Sequence, residues 1–160
     1  MKRILYYILV IIAFMSRIFH NKLYMKIIVY AHKIVGVKFD GIPEYIHQDA
    51  YLDPSGGLTL SEGCVVSTKV IILTHDWSFL KRRYNKIQPS DYDKKAYTPV
   101  FVGRNSFIGA GAIVLPGSQI GENCIIGAGA VVKGKIESDS IMVGNPAQNL
   151  VKRNKDRVRD

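Results

Sequence analysis

Residues 102–132 read VGRNSF, IGAGAI, VLPGSQ, IGENCI, IGAGAV and a closing Val132. Written in sixes, the first position is always aliphatic: Val102, Ile108, Val114, Ile120, Ile126 and again Val132. The second is usually glycine, and the fifth is always small: Ser106, Ala112, Ser118, Cys124, Ala130. A period of six suits neither a helix of 3.6 residues per turn nor a lone strand of period two. It suits a chain that makes a short strand, turns a corner and repeats, which is a β-solenoid. The aliphatic residue then points inward on every side and the small residue fits where the coil is tight. Glycine at the second position is expected to supply the unusual backbone angles of the corner.

Working outward, the same register runs back to Ile46. IHQDAY starts there, LSEGCV and VSTKVI follow from Leu60 and Val66, and Ile72 opens another hexad. Two irregularities interrupt it. LDPSGGLT at 52–59 is a hexad stretched by two residues, and between His75 and Tyr97 the period vanishes in a stretch rich in charge and tyrosine. Insertions in repeat proteins project as loops from one face, often the working face. Beyond Val132 the pattern degrades through KGKIESDS, and Asn145–Pro146 marks the exit from the coil. The chain divides into a helical segment and connector at 1–45, the repeat domain at 46–151 with its loop at 75–97, and a basic tail at 152–160.

With ILTHD at 72–76, TPVFVG at 98–103 and VGNPA at 143–147, residues 46–151 resemble the hexapeptide-repeat acyltransferases, nearest to maltose and galactoside and to polysaccharide O-acetyltransferases. The resemblance implies a mainly β fold: a left-handed parallel β-helix of triangular section, three hexads per turn. It implies direct transfer of an acetyl group from acetyl-coenzyme A (acetyl-CoA) to a hydroxyl, with no metal, in a homotrimer whose active sites lie between subunits. His75 matches the family's general base. Histidine suits that task because its ordinary pKa lies near 6.5, so it is largely free base at neutral pH. Asp53, in the stretched rung, matches a position where relatives hold the acceptor sugar; the bland reading is an Asp–Pro turn. Asp76 is a second candidate for the acceptor, although neighbouring residues on a strand point to opposite faces, so it is a poor partner for His75. Phe107, the small Ala110 and Ala128 of the GAGA corners, Lys133 and Arg153 match coenzyme-binding positions. The Thr–Lys of relatives reads Lys133–Gly134 here, and Arg153 is out of step with the family's arginine.

The bulk composition fits this reading. One hundred and sixty residues, 48% hydrophobic and 22% charged, suffice for one domain with a core. The net charge of +9 resides at the ends, while 41–151 carries ten charges of each sign. Nucleic-acid binders carry a basic stripe on the folded body, so none is expected as partner. Basic ends suit coenzyme phosphates or an anionic membrane surface. Cys64 and Cys124 both fall on the small hexad position and read as core residues. The apolar run from Ile4 to Met15, twelve residues behind Lys2 and Arg3, is too short to cross a bilayer and lacks a cleavage site, so it is expected to be retained. It either packs on the solenoid or makes peripheral membrane contact at the cytoplasmic face. A second helix is expected at 21–36 with Leu23, Ile27, Tyr30 and Ile34 on its inner face. His20, His32 and His47 read as structural. The alternatives are N-acetyl transfer to an amino sugar or antibiotic, a metal-dependent lyase on the same coil, which needs three histidines where the coil offers His47 and His75, and a non-catalytic trimeric solenoid.

Overall fold

Strands of two to four residues pair with the strand one full turn away, not with their neighbours in sequence. The computed structural model describes residues 1–17, 21–78 and 97–150. Three parallel sheets wind together as the sides of a triangular coil of about four turns. One side stacks β1 (Lys38–Asp40), β4 (Leu58–Ser61), β7 (Val100–Val102), β10 (Gln119–Ile120) and β13 (Lys135–Ile136). The second stacks β2 (Tyr45–Ile46), β5 (Val65–Val66), β8 (Phe107–Ile108), β11 (Ile125–Ile126) and β14 (Ile141–Val143), with β15 (Gln148–Asn149) closing the end antiparallel. The third stacks β3 (Tyr51–Leu52), β6 (Ile71–Ile72), β9 (Ile113–Val114) and β12 (Val131–Val132).

The register is the hexad. Ile46 pairs with Val66 and Val66 in turn with Ile108, and Leu52 pairs with Ile72, so like positions stack along the axis. All first-position aliphatics of the quoted stretch and all its fifth-position small residues are buried. Each such aliphatic contributes about 1.5–3 kcal/mol of burial, which makes the coil a continuous core. Cys64 and Cys124 are free thiols in that core, and burial pushes the Cys64 thiol up to about 12.

The glycine reading needs correction. Left-handed backbone falls on the fourth hexad position, for example Asn105 at φ 54° and Gly111 at φ 67°. The second-position glycines are there for close approach. A Cβ on Gly109 would stand 2.6 Å from the Ala128 nitrogen on the next turn, far inside contact distance. Two further expectations shift. The chain joins the coil before Ile46, because β1 already pairs with β4. The pattern beyond Val132 resumes after a shortened step: Ile136 and Ser140 are buried on the first and fifth positions.

The N-terminal segment is a pair of helices, α1 (Lys2–Arg17) and α2 (Asn21–Val35). The expected inner face of α2 is off by about one residue. Tyr24, Met25, Ile28, Val29, Ala31 and His32 are buried, whereas Leu23 is 46% and Tyr30 58% exposed. The Tyr24 hydroxyl donates to the Ile46 carbonyl and ties α2 to the first rung. His32 is structural, its ring bonded to the Ile28 carbonyl and the Tyr6 hydroxyl; burial holds it below the usual imidazole range. His47 caps the amide of Asp49. His20 lies outside the described residues.

The three sides differ outside. The second and third expose apolar residues, Phe107 and Ile125 on one and Tyr51 and Ile71 on the other. On the first, exposed Gln119 and Lys135 stack with Phe101 and Thr59.

Candidate active site

Both irregularities of the sequence stack on one corner, where the third side gives way to the first. The stretched hexad builds the turn after β3, at 53–57. On the next turn up, the chain leaves the coil at His75 and returns at Tyr97, which bridges His75 in antiparallel fashion. The Asp53 amide donates to the Ile72 carbonyl. That bond carries the stacking into the irregular turn and fixes Asp53 beneath His75.

Asp53 and His75 meet through Oδ2 and Nδ1 at 2.6 Å, with side chains 3% and 26% exposed. Oδ2 also accepts from the Thr74 amide and hydroxyl, at 2.9 and 2.7 Å. Oδ1 accepts from the Ser55 amide and hydroxyl, at 3.0 and 2.6 Å. Burial opposes the charge on Asp53, but the bonds from Ser55 and Thr74 outweigh it and hold the carboxyl well below the usual carboxylate range. An ionised carboxylate only accepts, so Nδ1 of His75 carries the proton it shares with Asp53. Nε2 is then left with its lone pair, and no described residue bonds it. Trp77 and Tyr97 flank the imidazole, with ring centres 5.7 and 6.0 Å away.

The local sequence explains the turn. Gly56 donates its amide to the Thr74 hydroxyl, and a Cβ there would lie 2.1 Å from the Thr74 carbonyl oxygen. Only glycine lets the stretched rung approach this closely. Asp53 differs from the expected acceptor contact: it is buried and its oxygens are taken by Ser55, Thr74 and His75. Asp76 is exposed and turned to Ser78, whose hydroxyl and amide bonds lower its carboxyl, aided by the nearby Lys133 ammonium. Lys133 follows β12 on the same edge, two turns above. Ser55, Thr74, Trp77 and Tyr97 were not singled out from the sequence. The signal for the first two was a cluster of hydroxyls around the break.

Two of the other expected residues, Ala110 and Ala128, lie at the opposite end of the third side. Ala110 and Ala128 are exposed and stacked at that corner, where the Gly129 amide donates to the Ala110 carbonyl. Phe107 stands on the outer surface of the second side. Within one chain about 16 Å of strand separates this corner from the His75 corner, at ~3.3 Å per residue. Arg153 and most of the 75–97 loop lie outside the described residues. Among the described residues no group of three His, Cys, Asp or Glu could hold a metal ion.

The family model described as "Bacterial transferase hexapeptide (six repeats)" matches residues 99–134. A dTDP-4-amino-4,6-dideoxy-D-glucose acyltransferase from Escherichia coli is 34% identical over an alignment of 118 residues that covers 71% of this chain and 61% of that protein. The chain thus spans about three fifths of the length of the relative it matches. Two solved structures share the fold. A galactoside acetyltransferase in complex with coenzyme A superposes with a TM-score of 0.56 at 16% identity, over 92% of this chain and 78% of that one. AntD, an N-acyltransferase from Bacillus cereus in complex with dTDP and 3-hydroxybutyryl-CoA, superposes with a TM-score of 0.55 at 18% identity, over 77% of this chain and 70% of that one. The resemblance read from residues 46–151 is thus met in sequence and in fold.

Proposed function

We propose that this chain is a hexapeptide-repeat acyltransferase that moves an acetyl group from acetyl-CoA to a hydroxyl of a saccharide, with His75 as general base and Asp53 as its positioning residue. The observation that carries the reading is the Asp53–His75 contact, which fixes the tautomer and turns the basic nitrogen outward. The acceptor hydroxyl gives its proton to Nε2 as its oxygen forms the new ester bond, and that proton leaves with the departing sulfur. A positioned base of this kind contributes about 100- to 10,000-fold. The carboxylate of Asp53 stabilises the cation formed in between and keeps the ring from turning. Trp77 and Tyr97 give the acceptor two flat faces, the surface that sugar rings stack on, and exposed Asp76 offers a carboxylate to a sugar hydroxyl.

Acetyl-CoA supplies the activated acyl group. The corner at Ala110 and Ala128 fits a pantetheine chain: its side chains are one carbon long and exposed, so backbone amides can be reached. Phe107 would flank the chain and Lys133 would meet its phosphates. His75 and this corner lie at opposite ends of one side, which supports a site that joins two subunits. The apolar outer surfaces of the second and third sides support a homotrimer that covers them. A coenzyme A thioester as donor supports a cytoplasmic setting for the reaction.

A second reading is N-acyl transfer to an amino sugar. It is favoured by the relative from Escherichia coli, whose name specifies a 4-amino sugar. One experiment separates the two and tests the whole. Thiol release from acetyl-CoA is followed with sugar-hydroxyl and amino-sugar acceptors, and the product is treated with alkaline hydroxylamine. Acceptor-dependent release and a hydroxylamine-labile ester are expected; a resistant amide would favour the second reading. Release equal in wild type and His75→Ala would remove the proposed base.

A further inference from the structure

We propose that α1 lies in the interface of an anionic lipid membrane and seats the protein on it. This goes beyond acyl transfer and does not rest on it. One face of α1 is used: Ala13 is buried and Tyr6 reaches His32 on α2. The opposite face is apolar and unpartnered among the described residues. Ile4, Leu5, Ile8, Ile11, Ile12 and Met15 are 45–66% exposed and follow the i, i+4, i+7, i+11 stripe of a helix. A contiguous stripe of this size is rare on a surface that meets only water. A helix apolar all round belongs in a core or a membrane.

Charge decides between the occupants. Residues 1–39 hold seven Lys or Arg and no Asp or Glu. Lys2 and Arg3 flank the stripe at one end, and exposed Lys22 and Lys26 follow the other end at the start of α2. Lys22 and Lys26 also line an apolar crevice with Met25, Ile42, Pro43 and one acid, Glu44; Ile42 is 70% exposed there, and the two cations outnumber the acid. Anionic headgroups complement that frame while acyl chains take the stripe. A second copy does so poorly. In a two-fold contact the same patch meets itself, and these cations would face their own kind with only Glu44 of the crevice to offset them; in the cyclic trimer proposed above, the second and third sides make the contact instead. The orientation follows from length. Sixteen residues span about 24 Å at 1.5 Å each, short of a hydrocarbon core of about 30 Å, and no described helix is long and apolar enough to cross a membrane. The helix lies in the plane of the interface.

The test is co-sedimentation of the full chain with vesicles of phosphatidylcholine alone or with about one third phosphatidylglycerol. Binding at least roughly tenfold tighter to the anionic vesicles is expected, with most of that preference lost in 0.5 M salt. Ile8→Asp/Ile11→Asp should abolish binding and Lys2→Glu/Arg3→Glu should weaken it roughly tenfold, each with unchanged melting temperature and mass by light scattering. The second pair removes no apolar contact, so it keeps the proposal testable should the first misfold. Wild type left in the supernatant with both vesicles would overturn the proposal, as would undiminished binding by the Lys2/Arg3 variant. A drop in particle mass for Ile8→Asp/Ile11→Asp, without vesicle binding by wild type, would assign the stripe to a second copy instead.

Discussion

Two corners of the same prism, at the two ends of its third side, were built by opposite means. At the Ala110–Ala128 corner every residue keeps its place in the hexad, and the backbone is bare because both turns read Gly-Ala-Gly there. At the His75 corner two successive rungs break the repeat, and those two rungs carry the described groups that touch the imidazole. A repeat can make a smooth groove many times over. It cannot make one particular constellation, because anything it places it places on every turn. Chemistry therefore gathers where the period fails, and recognition of a long uniform ligand can be left where it holds.

Asp53→Asn strikes the broken corner hardest. The variant keeps the shape but loses the buried charge, so kcat should fall roughly 10- to 100-fold as the ring loses its fixed tautomer. It should also lose about 2–4 kcal/mol of stability through weakened bonds to Ser55, Thr74 and His75. The sign with pH follows from the lowered carboxyl of Asp53. Its stabilisation is complete above the unfolded value of about 3.9 and is lost as pH falls toward the folded value. The melting-temperature gap between wild type and variant should thus narrow below about pH 4. A gap unchanged at pH 3 would show that the carboxylate is not held this way.

Gly109→Ala tests the regular corner through stability. The new carbon would meet backbone of the next turn at 2.6–2.8 Å, which the coil cannot relieve without parting its rungs. A loss of about 2–3 kcal/mol in a denaturant titration is expected. A cost below 0.5 kcal/mol would mean that the rungs are not so closely stacked.

Ala128→Trp fills the same corner from outside and should spare stability. KM for acetyl-CoA should rise roughly tenfold or more with melting temperature within a degree of wild type. An unchanged KM would move the coenzyme elsewhere. The smallest effect is expected at Lys69, a non-glycine at φ 54°. Lys69→Gly relieves that left-handed strain at some entropic cost and should stabilise by about 0.5–1 kcal/mol, with no change in kinetics.

The same contrast decided what could be read from the sequence. Burial of the first and fifth hexad positions was legible because the solenoid imposes it on every turn. His75 stood out because it sits where the pattern stops. What Asp53 touches was not legible: the contact spans 22 residues and one full turn, and depends on how two irregular segments settle against each other. The second-position glycines were recognised but misread, since sequence shows a missing side chain without saying whether angle or space required its absence. The face of α2 was displaced by a residue because a helix apolar on most sides offers several stripes of similar quality.

The most direct measurement asks whether the two corners work together across subunits. His75→Ala and Ala128→Trp are co-expressed in equal amounts and the mixed oligomers assayed at acetyl-CoA well below the raised KM of Ala128→Trp, where each variant alone should keep no more than about a tenth of wild-type activity. Sites joining His75 of one subunit to the Ala110–Ala128 corner of the next should be intact in about a quarter of cases, from random assembly of a cyclic oligomer. Recovery to about a quarter of wild-type turnover is predicted. Activity no higher than that of the two variants assayed separately would contradict a shared site.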